Sequence, residues 1–393
     1  MTVASTRLRG PAEPIPLTVL TGFLGAGKTS LLNRLLQDPA LADTVVIINE
    51  FGEIGLDHLF VKSIDDNMVM LQSGCLCCTL RGDLVNALEN LLRDLDNGRI
   101  NFRRAVLETT GLADPVPVLQ TTMAHPYLVM RYRLDGVVTV VDAVNGASTL
   151  DENMESVKQI AVADRIVLTK TDLVSSPERA EELQRLRQRI HALNPAAPVL
   201  DAIAGEATPA RLLACGLYDP DAKIPDVKRW LAVEAYTLVQ EEHDHHHDHG
   251  HRDGASQPGA SRHDVNRHDA RIRAVTLATD TPIPAASFET FIDLMRSLHG
   301  PKLLRLKGIV KIAEDPDRPL VIHGVQHVMH PPVRFDAWPD ADHRTRIVVI
   351  TRDLEPQYVT SLFDAFLGHT SPDQPDRAAL IDNPLIPFGG VDR

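Results

Sequence analysis

At 393 residues and a formal net charge of −13, the chain is long enough for two or three domains, and its charge speaks against a protein built around a nucleic-acid backbone. Nothing in it reads as a transmembrane span or a cleavable leader, so no membrane partner is expected. Three of the four cysteines fall at 75, 77 and 78, too tight for a disulfide framework and suited to thiolate chemistry in a reducing compartment, which makes the cytoplasm the expected location.

Residues 1–15 carry Arg, Pro and Gly without an apolar period and are expected to form a flexible lead-in. Pro16 to Leu20 then reads as a strand and Ser30 to Leu36 as a helix. Between them lies Gly22-Phe-Leu-Gly-Ala-Gly-Lys-Thr29, the pattern G-x-x-x-x-G-K-[ST] without a departure. In that context glycines turn backbone N–H groups inward around a polyphosphate at the positive end of the helix. The expected phosphate-binding set is Gly22, Gly25, Ala26, Gly27, Lys28, Thr29 and Ser30, with Lys28 on the β- and γ-phosphates and the Thr29 hydroxyl on Mg²⁺.

Thr44 to Asn49 is a continuous apolar run, expected to be a buried parallel strand whose C-terminal end points toward the phosphates. The polar, glycine-bearing segment that follows, to His58, occupies the place of a nucleotide-sensing switch, a solvated loop being the plainer alternative. Next, Ser73-Gly-Cys-Leu-Cys-Cys-Thr79 leads into an amphipathic helix over 82–95. Thiolates at Cys75, Cys77 and Cys78 can converge on one soft or borderline cation, with Glu53 as the leading fourth ligand; buried small hydrophobes are the alternative.

Ala105 to Asp114 contains a short apolar strand ending in Glu108, with Gly111 three positions on. A carboxylate there binds Mg²⁺ and a glycine N–H senses the γ-phosphate, so Lys28, Glu108 and Gly111 form the expected catalytic set; a mere acidic turn cap is the alternative. Buried strands are expected over 134–141 and from 165, the second ending in Thr169-Lys-Thr-Asp172. A carboxylate at Asp172 accepts from guanine N1–H and N2–H₂, donors that adenine lacks there, so Thr169, Lys170 and Asp172 are expected to select GTP. A helix over 178–193 and a strand over 198–203 close the alternation. The expected fold class is α/β, a mostly parallel sheet with helices on both faces.

From residue 228 the character changes. A strand over 230–239 leads into a linker containing His243, His245, His246, His247, His249 and His251, imidazoles able to capture borderline metals weakly, with inert spacing as the alternative. Beyond it, strands over 272–278, 303–312, 319–327 and 345–351, with helices over 285–298 and 355–367, predict a smaller C-terminal α+β domain with helices on one face of a mainly antiparallel sheet. The expected divisions are 1–15, a nucleotide domain over 16–227, a strand and His-rich linker over 228–270, the α+β domain over 271–368 and a tail over 369–393.

In the order GFLGAGKT, NEFGEIGLDH, GCLCC, ETTGLADP and a lysine–aspartate guanine element, with an internal histidine-rich segment and a smaller C-terminal domain, these motifs resemble the CobW-like metallochaperone GTPases from Pro16 to Leu367. The C-x-C-C element between the phosphate loop and the ETTG strand is the sharpest of them. The resemblance implies a P-loop GTPase domain and a transition metal at Cys75, Cys77 and Cys78. It also implies a C-terminal domain for partner contact and delivery of zinc, or of cobalt in cobalamin biosynthesis, to a client metalloprotein. The motifs leave the zinc, cobalt and nitrile-hydratase-activator branches open, along with a nucleotide-dependent homo-oligomer. Thr169 departs from the family's usual Asn. The expected cofactors are GTP, Mg²⁺ and Zn²⁺ or Co²⁺, and intrinsic hydrolysis is expected to be slow, because no glutamine or arginine finger is identifiable. A P-loop small-molecule kinase and a metal buffer or sensor are the rival functions.

Overall fold

Continuous runs of Val, Ile and Leu bounded by glycine and polar residues become strands buried on both faces. The computed structural model describes residues 13–51, 68–73, 79–112, 114–213, 271–326 and 328–368. In it β1 (Ile15–Gly22), β2 (Thr44–Phe51), β3 (Met68–Ser73), β4 (Arg104–Glu108), β5 (Tyr132–Asp142), β6 (Arg165–Thr169) and β7 (Val199–Asp201) form one parallel sheet in the order β3-β2-β4-β1-β5-β6-β7. Around it lie α1 (Lys28–Leu35), α2 (Thr79–Asp96), α3 (Val116–Ala124), α4 (Leu128–Arg131), α5 (Gly146–Glu152), α6 (Met154–Ala161), α7 (Pro177–Leu193) and α8 (Pro209–Leu212).

The strand period of two sends alternate residues to opposite faces. Val46 and Ile48 pack with Leu31, Leu32 and Leu35 of α1. Val45 and Ile47 pack instead with Leu84, Leu88, Leu91 and Leu92 of α2. The fold is therefore the expected α/β class, with helices on both faces.

Several elements depart from the sequence reading. α1 begins at Lys28 rather than Ser30, because Gly27 takes the left-handed conformation that starts the helix. β7 stops at Asp201, whose carboxylate accepts from Ile203 and Ala204 N–H groups and turns the chain. β3 and the helices α3 to α6 were not anticipated; α3 opens on prolines that a first helical turn accommodates. The expected strand at 230–239, the His-rich linker and the tail lie outside the described residues.

The second sheet is antiparallel and six-stranded, formed by β8 (Ile272–Thr279), β9 (Leu303–Ile312), β10 (Asp315–Val325), β11 (Val328–Met329), β12 (Val333–Arg334) and β13 (Thr345–Arg352). Helices α9 (Ala285–His299) and α10 (Pro356–Phe366) cover one face through Phe288, Phe291, Met295, Val359 and Phe363. The other face meets the first domain: Ile272, Leu304, Val348 and Ile350 join Val157, Ile160, Leu186 and Ile190 of α6 and α7 in one apolar cluster.

Charge is buried at that junction. Asp164, which follows α6, accepts at Oδ1 from Arg305 and Lys307 of β9, and at Oδ2 from Val137 N–H at 2.9 Å. Arg305 also donates to the Val162 carbonyl. Burial opposes the Asp164 charge, but Arg305 and Lys307 outweigh it and hold the carboxyl far below the usual range. Burial and the neighbouring Arg305 charge, opposed by the Asp164 carboxylate, bring the Lys307 amine down to about 8.

His323 of β10 lies against the same cluster, stacked on His330 with ring centroids 5.9 Å apart. Part of the residue reaches the surface, but Nε2 is sealed and has no hydrogen-bond partner among the described residues. Burial and the neighbouring Lys307 and Arg305 charges push its proton affinity well below the ordinary 6.5. The unfolded chain thus binds a proton below pH 6.5 that the folded chain refuses, so stability is lost as pH falls through that value. His323 alone is expected to cost up to about 1.4 kcal/mol one pH unit below it. Thermal melts at pH 7.5 and 5.5 should show the loss in the wild type and a flatter profile in His323→Leu; equal slopes would refute the assignment.

Candidate functional site

The C-terminal ends of β1, β4, β5 and β6 converge on one edge of the parallel sheet, where open α/β sheets bind ligands. Gly22 ends β1 at φ 141°, and a Cβ there would stand 2.3 Å from the Val140 carbonyl oxygen, so no other residue fits beside β5. Gly25 and Gly27 take left-handed φ values of 71° and 91°, which bend the loop into a concave run of backbone. Ala26 is buried and Ser30 exposed at the first turn of α1. The Lys28 ammonium folds back onto the carbonyls of Gly22 and Phe23 at 3.0 and 3.3 Å, within the loop it would leave to meet a phosphate.

The Thr29 hydroxyl donates to Glu108 Oε1 at 2.8 Å. Glu108 is only 5% exposed at the end of β4, where its carboxylate faces this hydroxyl and not solvent. A hydroxyl and a buried carboxylate side by side at the foot of a phosphate loop form the donor set that Mg²⁺ takes. The residues present therefore fit both a triphosphate and its metal. Gly111 packs directly on the loop, since a Cβ on it would meet Leu24 N at 2.5 Å. Gln159 of α6 donates to the Gly111 carbonyl at 3.3 Å, and Asp114 caps α3 through Val116 N–H while accepting from Lys158 of α6 at 2.9 Å.

At the end of β6 the Thr169 hydroxyl donates to the Ala26 carbonyl at 2.6 Å, tying this strand to the phosphate loop. This gives the departure from Asn a physical account, because a threonine hydroxyl can make the bond to the loop. Lys170 has a left-handed backbone, φ 59°, and its ammonium meets Asp142 Oδ2 at 2.8 Å. Asp172 is exposed and makes no side-chain hydrogen bond or ion pair among the described residues.

Asp142 and Asp201 escaped the sequence reading. Asp142 ends a buried strand in an acid, the same signal that singled out Glu108, and accepts also from Val144 N–H and the Asn145 side-chain amide. Burial raises its proton affinity, but the Lys170, Asn145 and backbone hydrogen bonds lower it further, so the carboxyl titrates below the usual range. Asp201 accepts from the Thr171 hydroxyl at 2.8 Å.

The candidate ligands Glu53, Cys75, Cys77 and Cys78 and the six linker histidines lie outside the described residues. Among the described residues no group of three His, Cys, Asp or Glu side chains is placed to hold a metal ion. No helix among them is long and apolar enough to cross a membrane.

Residues 16–201 match the family described as "CobW/HypB/UreG, nucleotide-binding domain", and residues 272–367 match "Cobalamin synthesis protein cobW C-terminal domain". The chain is 30% identical over 352 residues to the zinc chaperone YjiA of Escherichia coli, covering 89% of this chain and 98% of that one. It is 38% identical over 200 residues to zinc-regulated GTPase metalloprotein activator 1 of Schizosaccharomyces pombe, covering 49% and 47% of the two chains. The crystal structure of Zn(II)-bound YjiA GTPase superposes with a TM-score of 0.63 at 28% identity, over 90% of this chain and 99% of the other. With a phosphate loop, a Thr29–Glu108 pair and a lysine–aspartate element on one sheet edge, and with relatives matched across both domains, the chain belongs to the CobW family of P-loop GTPases.

Proposed function

We propose that this protein is a GTP-hydrolysing metallochaperone that holds zinc at Cys75, Cys77, Cys78 and Glu53 and releases it to a client metalloprotein according to its nucleotide state. The strand order carries the reading. β2 and β3 end as register partners, Phe51 beside Ser73, and Glu53 and Cys75 each follow two residues later in sequence. β2 in turn lies beside β4, with Ile48 opposite Glu108. At the ordinary strand spacing the ends of β2 and β3 stand about 10 and about 14 Å from that of β1, so the segments leaving them start on the γ-phosphate side of the sheet edge.

Bound Mg²⁺ supplies charge neutralisation for phosphoryl transfer. In this chain Thr29 and Glu108 would hold it, Lys28 would meet the β- and γ-phosphates, and Gly111 would offer its N–H to the γ-phosphate. Asp172 would accept from guanine. The named zinc chaperones among the relatives favour zinc over cobalt. Residues 16–227 serve as the GTPase unit, 271–368 as the partner-facing unit, and the histidines of 228–270 as weak metal capture. Hydrolysis without a client is slow.

Zinc and GTP then tighten each other by the same factor, since coupling between two sites is reciprocal. Zinc titrations with a non-hydrolysable GTP analogue and with GDP should differ by about tenfold or more, at the scale typical of coupled sites. Equal affinities would remove the coupling. Cys77→Ser should abolish the tight site; unchanged stoichiometry would point to the histidine tract and a metal buffer. A preference for ATP with a phosphorylated small-molecule product would point to a kinase.

A further inference from the structure

The turn that follows β6 is held at three successive residues by three different elements. Thr169 is tied to the phosphate loop at Ala26, Lys170 to the end of β5 at Asp142, and Thr171 to the end of β7 at Asp201. Asp172, next in the chain, is the exposed one. Thr169 and Thr171 are held by hydroxyls, whereas the central hold is an ion pair with a carboxylate that is itself buried and fixed by the Val144 and Asn145 N–H groups. Lys170 also carries the strained backbone, a left-handed φ of 59° in a residue with a Cβ. Such a conformation persists only where its surroundings over-determine it. Rotating residue 170 out of it would redirect residues 171 and 172 together.

We propose that Asp142 is a positioning residue for purine selectivity: by pairing with Lys170 it holds the left-handed turn that aims the Asp172 carboxylate at the base edge. This rests on the guanine reading of Asp172 given above. Asp142 does not touch the base. Its effect falls on guanine and spares adenine, which lacks the two donors that Asp172 accepts. A residue that merely supported the fold would weaken both nucleotides alike.

The test uses the full chain and fluorescent GDP, ADP and XDP. Asp142→Asn keeps an oxygen for the Val144 and Asn145 N–H groups and removes the charge that holds Lys170. It should weaken GDP about tenfold, the scale of one charge-assisted hydrogen bond, while ADP affinity stays within about twofold. In the double variant with Lys170→Met the losses should not add, since both act through one contact. Asp142→Ser, which also accepts the turn's N–H groups, carries the same test if Asp142→Asn fails to fold. Equal weakening of GDP and ADP, an unchanged GDP affinity or additive losses would overturn the proposal. The underlying guanine reading is tested separately: Asp172→Asn presents an amide that pairs with the xanthine C2 carbonyl and should shift preference from GDP to XDP. If it does not, the guanine reading fails, whatever Asp142 does.

Discussion

Asp164→Ala is expected to destabilise the protein by about 3–5 kcal/mol, the range for removing one partner from a buried ion pair. The carboxylate sits at the junction of the two sheets and is the anion that Arg305 and Lys307 share, both less than a tenth exposed. Its removal leaves two buried cations beside each other, and at an effective dielectric near 20 their repulsion is no longer offset. The backbone is affected as well, because Asp164 Oδ2 satisfies Val137 N–H in the middle of β5. Denaturant unfolding of the whole chain measures the loss. A companion variant, Asp164→Leu with Arg305→Met and Lys307→Met, should recover much of it, since a well-packed apolar replacement of a buried ion cluster is often neutral. A loss below about 1 kcal/mol in Asp164→Ala would place the pair among weak surface bridges and remove the argument.

The same residues mark where the sequence was legible and where it was not. β1, β2, β4 and β6 were readable because each is a continuous apolar run, and a strand buried on both faces needs nothing else. The phosphate loop was readable because its glycine positions follow from local backbone geometry. Arg305 and Lys307 were not. In Leu-Arg-Leu-Lys the alternation is that of a strand with one face in water, and only the packing of β9 on α6 puts that face inside. Asp164 meets its partners 141 and 143 residues away, a pairing that no local pattern encodes. Asp142 lies 28 residues from Lys170 and had the weaker signal of an acid at a strand end, a signal informative only once the neighbouring strand was known to be β6.

Gly111→Ala is expected to lower the GTP hydrolysis rate by about 10²-fold, the cost of roughly 1 Å of misplacement near the reacting atoms. The added Cβ would stand 2.5 Å from Leu24 N and 2.7 Å from its Cα, both backbone atoms that cannot rotate away. Either the phosphate loop or the turn at 109–112 must move. The loop is the stiffer side: Thr169 holds Ala26, and β5 closes on Gly22. The turn is anchored at Thr109, by Leu20 O and the Thr21 hydroxyl, but at Gly111 itself the one hydrogen bond among the described residues is the 3.3 Å bond from Gln159. The turn should therefore swing away and carry its N–H groups off the γ-phosphate position, leaving the nest for the other two phosphates in place. GDP affinity should stay within about threefold while single-turnover hydrolysis falls, a split expected for an interaction made only in the transition state. On the coupling proposed above, zinc affinity measured with the GTP analogue should fall toward its GDP value, since a metal site that depends on the γ-phosphate loses its cue when the turn no longer meets it. Hydrolysis at the wild-type rate in a folded Gly111→Ala protein would show that the contact with Leu24 is packing alone.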